Sequence, residues 1–218
     1  TIINVTLKRL YVNSTLIIKD YYSGGGPIEK LTLYINNLRV GDVPPNASKP
    51  VTLVVPLRKG LNTITLRGKN IYAEFIKKIT VKEPTNITID IPRKTFLVKL
   101  TLVNDLAQPV HGGVVKAIGI GMKFEGMSSI VNGEANLKLP YGVYTIIIDQ
   151  PGYERLTIER VITSDEEISL ILKPTLITII NRYMTIFVGV AIIALILVLI
   201  YRYRAKIKSL IAPEEEIF

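Results

Sequence analysis

Residues 137–148 read LKLPYGVYTIII, with apolar-rich runs on both sides of a Pro-Tyr-Gly corner. Pro140 fixes its own φ and Gly142 permits a sharp bend, so the segment predicts two strands that meet at a corner. Side chains alternate along a strand, which places three residues of the second strand on one face: Tyr144, Ile146 and Ile148. We expect these three side chains to fill the core of a β-sheet scaffold.

Most of the chain shows the same kind of pattern. Apolar and polar residues alternate in 31–35, 96–102 and 166–172, and Gly, Pro and Asn separate the runs. Asn132-Gly133 and Pro151-Gly152 are strong turn signals. The pattern predicts an all-β fold of two tandem antiparallel β-sandwich (Ig-like) domains, followed by one C-terminal transmembrane helix.

A change in charge divides the two predicted domains at about Pro92. Residues 1–92 carry 13 Lys and Arg against 6 Asp and Glu, a net charge of +7, whereas residues 93–174 carry 9 of each kind. The two domains therefore have different surfaces, and we expect them to have different neighbours.

Residues 96–173 resemble the carboxypeptidase regulatory-like domain, a transthyretin-like β-sandwich. The similarity rests on 102–115 with its Pro-Val-x-Gly turn, on 132–146 with its Gly-Glu-Ala return and Pro-Tyr-Gly corner, and on 151–153. The resemblance implies an accessory, non-catalytic module. This chain has Leu106-Ala107-Gln108 where the family usually has a glycine, which leaves the shape of that first turn open.

Residues 30–83 are similar to a bacterial immunoglobulin-like domain. The matching stretches are 33–40 and 55–66, and the second contains a Leu-x-x-Gly-x-Asn-x-Ile pattern that leads into a core strand. Gly68-Lys69-Asn70 stands where such domains often carry an acidic residue. In 71–81 the odd positions point inward and include Lys77, so we expect a bulge near Lys77 or an edge strand.

Residues 183–201 read YMTIFVGVAIIALILVLIY and carry no charge. As a helix they extend about 28 Å, which matches a bilayer hydrocarbon core, and tyrosines lie at both ends. A core helix of that length would normally carry a polar stripe, and this segment has none. The pattern predicts a transmembrane helix over 183–201, preceded by a juxtamembrane linker over 175–182.

Four basic residues follow this span, at the start of a short predicted tail over 202–218: Arg202, Arg204, Lys206 and Lys208. Only Arg182 lies close before the span. Because Lys and Arg accumulate on the cytoplasmic side, we expect a single-pass protein of the cell membrane, with the N-terminal part outside and the C-terminus in the cytoplasm. The first residue is Thr1, from which we expect that a signal peptide was removed or the sequence trimmed.

Four Asn-x-Ser/Thr sequons lie in the first predicted domain, and their asparagines are candidate glycosylation sites: Asn4, Asn13, Asn46 and Asn86. They agree with an external location and with a glycoprotein. The chain has two glutamines, no cysteine and many charged residues, a composition that fits a thermophile.

Catalysis and cofactor binding find little support in the sequence. The lack of cysteine excludes disulfides and thiolate chemistry, and a single histidine, His111, excludes a multi-histidine metal site. His111 lies in a Pro-Val-His-Gly-Gly turn, and the consecutive acids 165–167 point in different directions along a strand. The runs 24–26 and 119–121 contain glycines but precede no helix with a phosphate-binding lysine. We expect no catalytic residue, no cofactor and no metal.

Six basic residues within positions 58–78 form a candidate patch for an anionic partner: Arg58, Lys59, Arg67, Lys69, Lys77 and Lys78. Anionic glycans, lipid headgroups or an acidic protein would fit such a patch, and an ordinary solvated surface has the same composition. No nucleic-acid-reading module is recognisable, so we expect no nucleic-acid partner.

Two functions follow from these predictions. The first is a membrane-anchored surface protein whose non-catalytic ectodomain meets a protein or glycan partner in adhesion, in an envelope layer or in assembly. The alternative is an accessory single-pass subunit of a membrane transport, secretion or enzyme complex, whose ectodomain docks a partner. Gly189, Ala191 and Ala194 permit close helix packing, which favours the alternative only weakly. Activity as a hydrolase is a third and remote possible function.

Overall fold

The computed structural model of the chain describes residues 10–211, with side chains through Arg204. The first half of this part forms seven strands: β1 (Tyr11–Asp20), β2 (Leu31–Ile35), β3 (Leu38–Val43), β4 (Val51–Arg58), β5 (Gly60–Arg67), β6 (Phe75–Val81) and β7 (Asn86–Ile91). Seven more strands follow: β8 (Thr95–Val103), β9 (Val114–Ile120), β10 (Glu125–Ser129), β11 (Glu134–Pro140), β12 (Gly142–Asp149), β13 (Leu156–Ile162) and β14 (Glu166–Ile171). One helix, α1 (Leu176–Ile211), ends the described part.

Each set of seven strands forms a sandwich of a three-stranded and a four-stranded sheet. The first has strand orders β4-β1-β7 and β3-β2-β5-β6, and the second has β11-β8-β14 and β10-β9-β12-β13. If the strands of each sandwich are numbered one to seven, both sandwiches have the strand orders 4-1-7 and 3-2-5-6. The chain therefore repeats one topology. The predicted fold class, two tandem β-sandwiches and a C-terminal apolar helix, is confirmed.

One pairing in each sandwich differs from the antiparallel prediction. The first and last strands are parallel neighbours: β1 pairs with β7, and β8 pairs with β14. Strand direction reverses at each successive connection along the chain, so the first and seventh strands run the same way. When these two lie side by side, they can only pair in parallel.

The two sandwiches have separate apolar cores. The buried residues of the first core lie between Leu16 and Ile91, and those of the second lie between Val98 and Leu172. The predicted inward row is confirmed: Tyr144, Ile146 and Ile148 are 0–1% exposed. Burial of such side chains stabilises each sandwich by roughly 1.5–3 kcal/mol per residue.

The Pro-Tyr-Gly corner carries the chain from one sheet of the second sandwich to the other. β11 belongs to the three-stranded sheet and β12 to the four-stranded sheet. The Tyr144 hydroxyl donates a hydrogen bond of 2.7 Å to the Pro140 carbonyl, which closes the corner inside the core. A Cβ on Gly142 would lie 2.7 Å from the Met122 sulfur, so a larger residue there would have to displace the Met122 side chain.

The turn at Leu106-Ala107-Gln108, whose shape the sequence left open, is held by a side chain. The Asn104 Oδ1 accepts hydrogen bonds of 2.9 Å from the backbone N–H groups of Leu106 and Gln108. Ala107 between them has φ +58°, in the left-handed region that glycine adopts most easily. The chain therefore makes a left-handed turn here with an alanine in it.

Lys77 lies on an edge strand, which is one of the two arrangements expected for it; the other was a β-bulge. β6 ends the four-stranded sheet of the first sandwich, and its pairing with β5 is regular from Phe75 to Val81. The Lys77 Nζ donates a hydrogen bond of 2.8 Å to the Thr88 carbonyl of β7. The edge position lets the stem lie partly buried while the amine reaches a polar partner.

The segment 175–182, predicted as a juxtamembrane linker, is helical from Leu176, where α1 begins. Thr175 stands just before the helix, and its hydroxyl accepts a long hydrogen bond of 3.5 Å from the Thr178 N–H. Thr at this position satisfies one of the free N–H groups of the first turn and favours helix initiation. The helix therefore continues from the second sandwich without a flexible spacer.

Candidate functional site

The helix α1 has the length and surface of a membrane span. An 18-residue window within its segment Leu176–Arg204 has a mean hydropathy of 2.9 and is 0% buried against the rest of the chain. A helix of 36 residues is about 54 Å long, so a hydrocarbon core of roughly 30 Å takes up little more than half of it. Arg202 and Arg204 are exposed on the helix, while the side chains of Lys206 and Lys208 lie outside the described residues.

The first turns of α1 are fixed to the end loops of the second sandwich. Arg182 donates two hydrogen bonds, of 3.0 and 3.2 Å, to the carboxylate of Asp105. The Thr178 hydroxyl donates at 2.7 Å to the Gly152 carbonyl, which also accepts from the Thr175 N–H at 2.9 Å. A Cβ on Gly152 would lie 2.9 Å from the Thr178 hydroxyl. These contacts set the direction in which the helix leaves the sandwich.

The opposite end of the second sandwich meets the first sandwich through Arg93. This residue lies between β7 and β8, and its guanidinium donates to Asp20 at 2.8 and 3.3 Å. The same group donates at 3.0 Å to the Tyr141 carbonyl, in the Pro-Tyr-Gly corner of the second sandwich. The side chains of Arg93 and Asp20 are 7% and 0% exposed. One buried arginine thus joins the two cores.

Asp20 is held as a buried carboxylate by several donors. Besides Arg93, the Tyr72 hydroxyl and the N–H groups of Tyr22 and Ser23 donate to it. Burial alone would raise the pKa of Asp20, but the hydrogen bonds from Arg93 and Tyr72 outweigh it, and the pKa lies below its usual value. Burial, together with the bond to Asp20, raises the pKa of Tyr72. The cluster is therefore an ion pair with a neutral tyrosine at neutral pH.

Aromatic rings extend the same junction. Tyr22 packs edge-on against Phe124, and Phe124 packs edge-on against Tyr144, with centroids 5.9 and 6.0 Å apart. The Lys123 N–H donates at 2.8 Å to the Tyr22 carbonyl. Such ring pairs each add about 0.5–1.5 kcal/mol beyond their buried area. The junction combines one ion pair, backbone bonds and a ring stack.

The sequence analysis missed this junction, although β1 contains a signal for it. The inward row of β1 reads Leu16, Ile18 and Asp20, so alternation alone places a carboxylate in the core. A buried charge requires a partner. Its partner Arg93 is 73 residues away, next to the predicted boundary.

The six basic residues predicted as a patch lie at two ends and two faces of the first sandwich. Arg58 and Lys59 lie where β5 begins, and Arg67 lies where it ends, about 23 Å away at 3.3 Å per residue. Lys69 follows Arg67 in the loop. Lys77 and Lys78 are consecutive on β6 and point to opposite faces. The structure therefore brings Arg58 and Lys59 together, and it separates them from Arg67 and Lys69.

Arg67 also has partners of its own. Its guanidinium lies 2.9 Å from the Glu74 carboxylate and 4.9 Å from the centroid of the Tyr34 ring. Both ionic side chains are about half exposed, so the pair contributes little to stability. These contacts engage the charge of Arg67 within the chain.

The remaining predicted positions occupy the surface. Asn13, Asn46 and Asn86 are exposed, and Asn4 lies outside the described residues. His111 is exposed in its turn, and the Asp165 carboxylate accepts the Leu97 N–H at 2.7 Å. Among the described residues there is no group of three or more His, Cys, Asp and Glu that could hold a metal.

The end of the first sandwich away from Arg93 is held together by one buried amide. The Asn62 Oδ1 accepts from the Arg58 N–H and from the Asn36 side-chain amide, and its Nδ2 donates to the carbonyls of Arg58 and Gly60, all at 2.7–3.2 Å. Asn62 is 0% exposed. Its side chain joins the β2–β3 turn to the β4–β5 turn. The Leu-x-x-Gly-x-Asn-x-Ile pattern therefore encodes the architecture of this end.

Comparisons with known proteins find distant similarity to solved structures. No family model matches the chain, and no curated protein matches it. The Bacillus anthracis TIE protein is similar with a TM-score of 0.40 and 17% identity, over 76% of this chain and 34% of that one, so this chain spans about a third of its length. A streptococcal ancillary pilin has a TM-score of 0.33 and 14% identity, over 78% of this chain and 64% of that one. GBS52, the minor pilin of Streptococcus agalactiae, has a TM-score of 0.35 and 14% identity, over 74% and 96%. Likeness at this level carries no argument about partners.

Proposed function

We propose that the chain is a non-catalytic, single-pass surface protein that holds two β-sandwiches outside the membrane and presents the end of the first one to a protein or glycan partner. Adhesion, an envelope layer and assembly of a surface structure are the settings that this arrangement fits. The C-terminus lies in the cytoplasm, since the basic residues Arg202 and Arg204 follow the apolar segment.

The observation that carries the proposal is the wholly exposed apolar segment of α1, joined without a spacer to the second sandwich. An 18-residue window of exposed apolar side chains is costly in water and favourable in lipid. The Arg182–Asp105 pair and the Arg93 junction lie at opposite ends of the second sandwich. Strands of nine and ten residues then place the far end of the first sandwich on the order of 60 Å beyond the helix.

The orientation is tested by labelling single cysteines, which the cysteine-free chain makes simple. Thr80→Cys lies on the exposed face of β6, and Glu215→Cys lies in the C-terminal tail. A membrane-impermeant maleimide applied to intact cells is expected to label the first variant at once and the second only after permeabilisation. The unsubstituted chain gives the background. The reverse labelling order would overturn the proposed orientation.

The role as an independent surface protein is tested by gentle extraction. Purification in mild detergent and cross-linking of intact membranes are expected to give the chain without stoichiometric membrane subunits. A fixed set of integral membrane partners, present at equal amounts, would instead assign the chain to the alternative, an accessory subunit of a membrane complex.

A further inference from the structure

We infer that the end of the first sandwich away from Arg93 binds an acidic protein segment that also carries apolar side chains. This end, the free-end surface, consists of Leu10, Tyr11, Leu38, Arg58, Lys59, Leu61 and Lys82. The inference rests on the proposed function and names the class of its partner.

Large apolar side chains are exposed together at the free-end surface. Leu10, Tyr11, Leu38 and Leu61 are 57–74% exposed, and they lie at strand ends that meet there. Tyr11 pairs with Arg58 across β1 and β4, and the Lys59 N–H donates at 2.7 Å to the Leu10 carbonyl. A cleft of about 450 Å³ opens at the same end, lined by Leu10, Tyr11, Val12, Asn13 and Pro84. Such a cleft accepts an apolar side chain of a partner.

The charge of this surface is positive and is not used within the described part of the chain. The ion pairs of residues 10–204 engage Asp20, Asp42 and Glu74 of the first sandwich, but not Arg58, Lys59 or Lys82. Lys82 follows Val81, which pairs with Gly60, so it lies beside Lys59. Glu83 follows Lys82 along the chain, so Arg58, Lys59, Lys82 and Glu83 together carry a net charge of +2. The surface therefore complements a negatively charged partner.

The free-end surface is also preorganised. The buried Asn62 amide fixes the backbone at Arg58 and Gly60 and the side chain of Asn36, and the Asn36 Oδ1 accepts the Thr63 N–H at 2.8 Å. Loops held in this way lose little conformational entropy on binding. A mobile loop cluster would lose more, so the hydrogen bonds of Asn62 favour a binding role for this end.

The combination of residues selects a protein over a glycan. Sulfated or carboxylated glycans satisfy the bases, but they offer little apolar surface to bury three leucine side chains. An acidic segment with interspersed Leu or Phe satisfies both kinds of residue. Its apolar side chains would gain about 25 cal/mol for each Å² removed from water.

The test uses the full chain in nanodiscs of neutral phosphatidylcholine, where binding is independent of cellular orientation. Three fluorescent probes of equal charge are titrated: a peptide of Glu alternating with Leu and Phe, poly-glutamate, and a heparin oligosaccharide. We expect the mixed peptide to bind about tenfold more tightly than the other two. Arg58→Ser with Lys59→Ser is expected to weaken it about tenfold, and Leu38→Ser with Leu61→Ser to reduce its affinity to that of poly-glutamate.

The matched control is Lys49→Ser with Lys69→Ser, which removes the same charge at the other end of the sandwich and is expected to leave binding unchanged. Tighter binding of heparin, equal effects of the two charge variants, or no binding of the mixed peptide would overturn the inference. Self-association of the chain that Leu61→Ser abolishes would assign the surface to a second copy. None of these results changes the labelling order, so failure here is distinct from failure of the proposed function.

Discussion

Replacing Arg93 with methionine is expected to weaken the first sandwich and to free the two sandwiches from one another. Arg93→Met keeps much of the side-chain volume but removes the charge that faces Asp20, whose side chain is 0% exposed. Breaking a buried ion pair from one side costs roughly 3–5 kcal/mol. Three other donors remain on the carboxylate, from Tyr72, Tyr22 and Ser23, so we expect the low end, about 3 kcal/mol.

Hydrogen exchange of the full chain in nanodiscs measures this loss. Amides of β1 and β7 that exchange only when the sandwich opens should exchange on the order of 150-fold faster in the variant, the factor that corresponds to 3 kcal/mol. Spin labels at Thr80→Cys and Ser169→Cys, one on each sandwich, should change from one narrow distance to a broad distribution. Both positions are exposed and lie on strands.

Arg67→Met is the matched control. Arg67 pairs with Glu74 at 2.9 Å, close to the 2.8 Å of Arg93 and Asp20, but both of its side chains are about half exposed. Solvent screening limits such a pair to about 1 kcal/mol or less. If Arg93→Met changed exchange no more than Arg67→Met does, and left the distance distribution narrow, the role assigned to the junction would be refuted.

Three further predictions concern single positions. Ala107→Gly should stabilise the second sandwich by about 0.5–1 kcal/mol in urea denaturation, because Ala107 has φ +58°, and Ala107→Val should destabilise it. Tyr144→Phe should destabilise the second sandwich by about 1–3 kcal/mol in the same assay, since it leaves the buried Pro140 carbonyl without its donor, and a loss below 0.3 kcal/mol would contradict this. The lowered pKa of Asp20 means that its contribution to stability is complete above the unfolded pKa of about 3.9 and is lost as the pH falls through the lower folded value. The opening constant of β1 amides, obtained by dividing each exchange rate by the intrinsic rate at the same pH, should therefore increase below about pH 4, and by less in Asp20→Asn; an equal increase in the two chains would exclude this role of Asp20.

The sequence predicted the parts of this fold that depend on local pattern. Alternation located the core row at Tyr144, Asn132-Gly133 predicted a tight turn whose two residues have φ +51° and +78°, and the uncharged run predicted the helix. These signals are local because they come from side-chain alternation, turn conformation and helix length. The Pro-Tyr-Gly corner was predicted for the same reason, although Gly142 serves close packing rather than unusual φ.

The features that could not be predicted depend on contacts between distant residues. Nothing in the sequence near Asp20 names Arg93 as its partner, and the six basic residues look contiguous until the direction of β5 separates them. The start of α1 was missed because the contacts of Thr178 and Arg182 with the second sandwich extend the helix beyond its apolar segment. Asn62 lies inside the Leu-x-x-Gly-x-Asn-x-Ile pattern that the sequence shows. Its hydrogen bonds could not be predicted, because they form only when the fold brings the β2–β3 turn and the β4–β5 turn together.

The parallel pairing of first and last strands has a mechanical consequence. In the second sandwich the chain arrives at the start of β8 and departs into α1 from the end of β14, and these strands are neighbours joined over six residue pairs. In the proposed surface protein, traction between a partner on the first sandwich and the membrane around α1 would therefore pull the two strands past each other lengthwise. Their hydrogen bonds lie across that direction and share the load in shear, so the ladder resists as a unit instead of unzipping bond by bond.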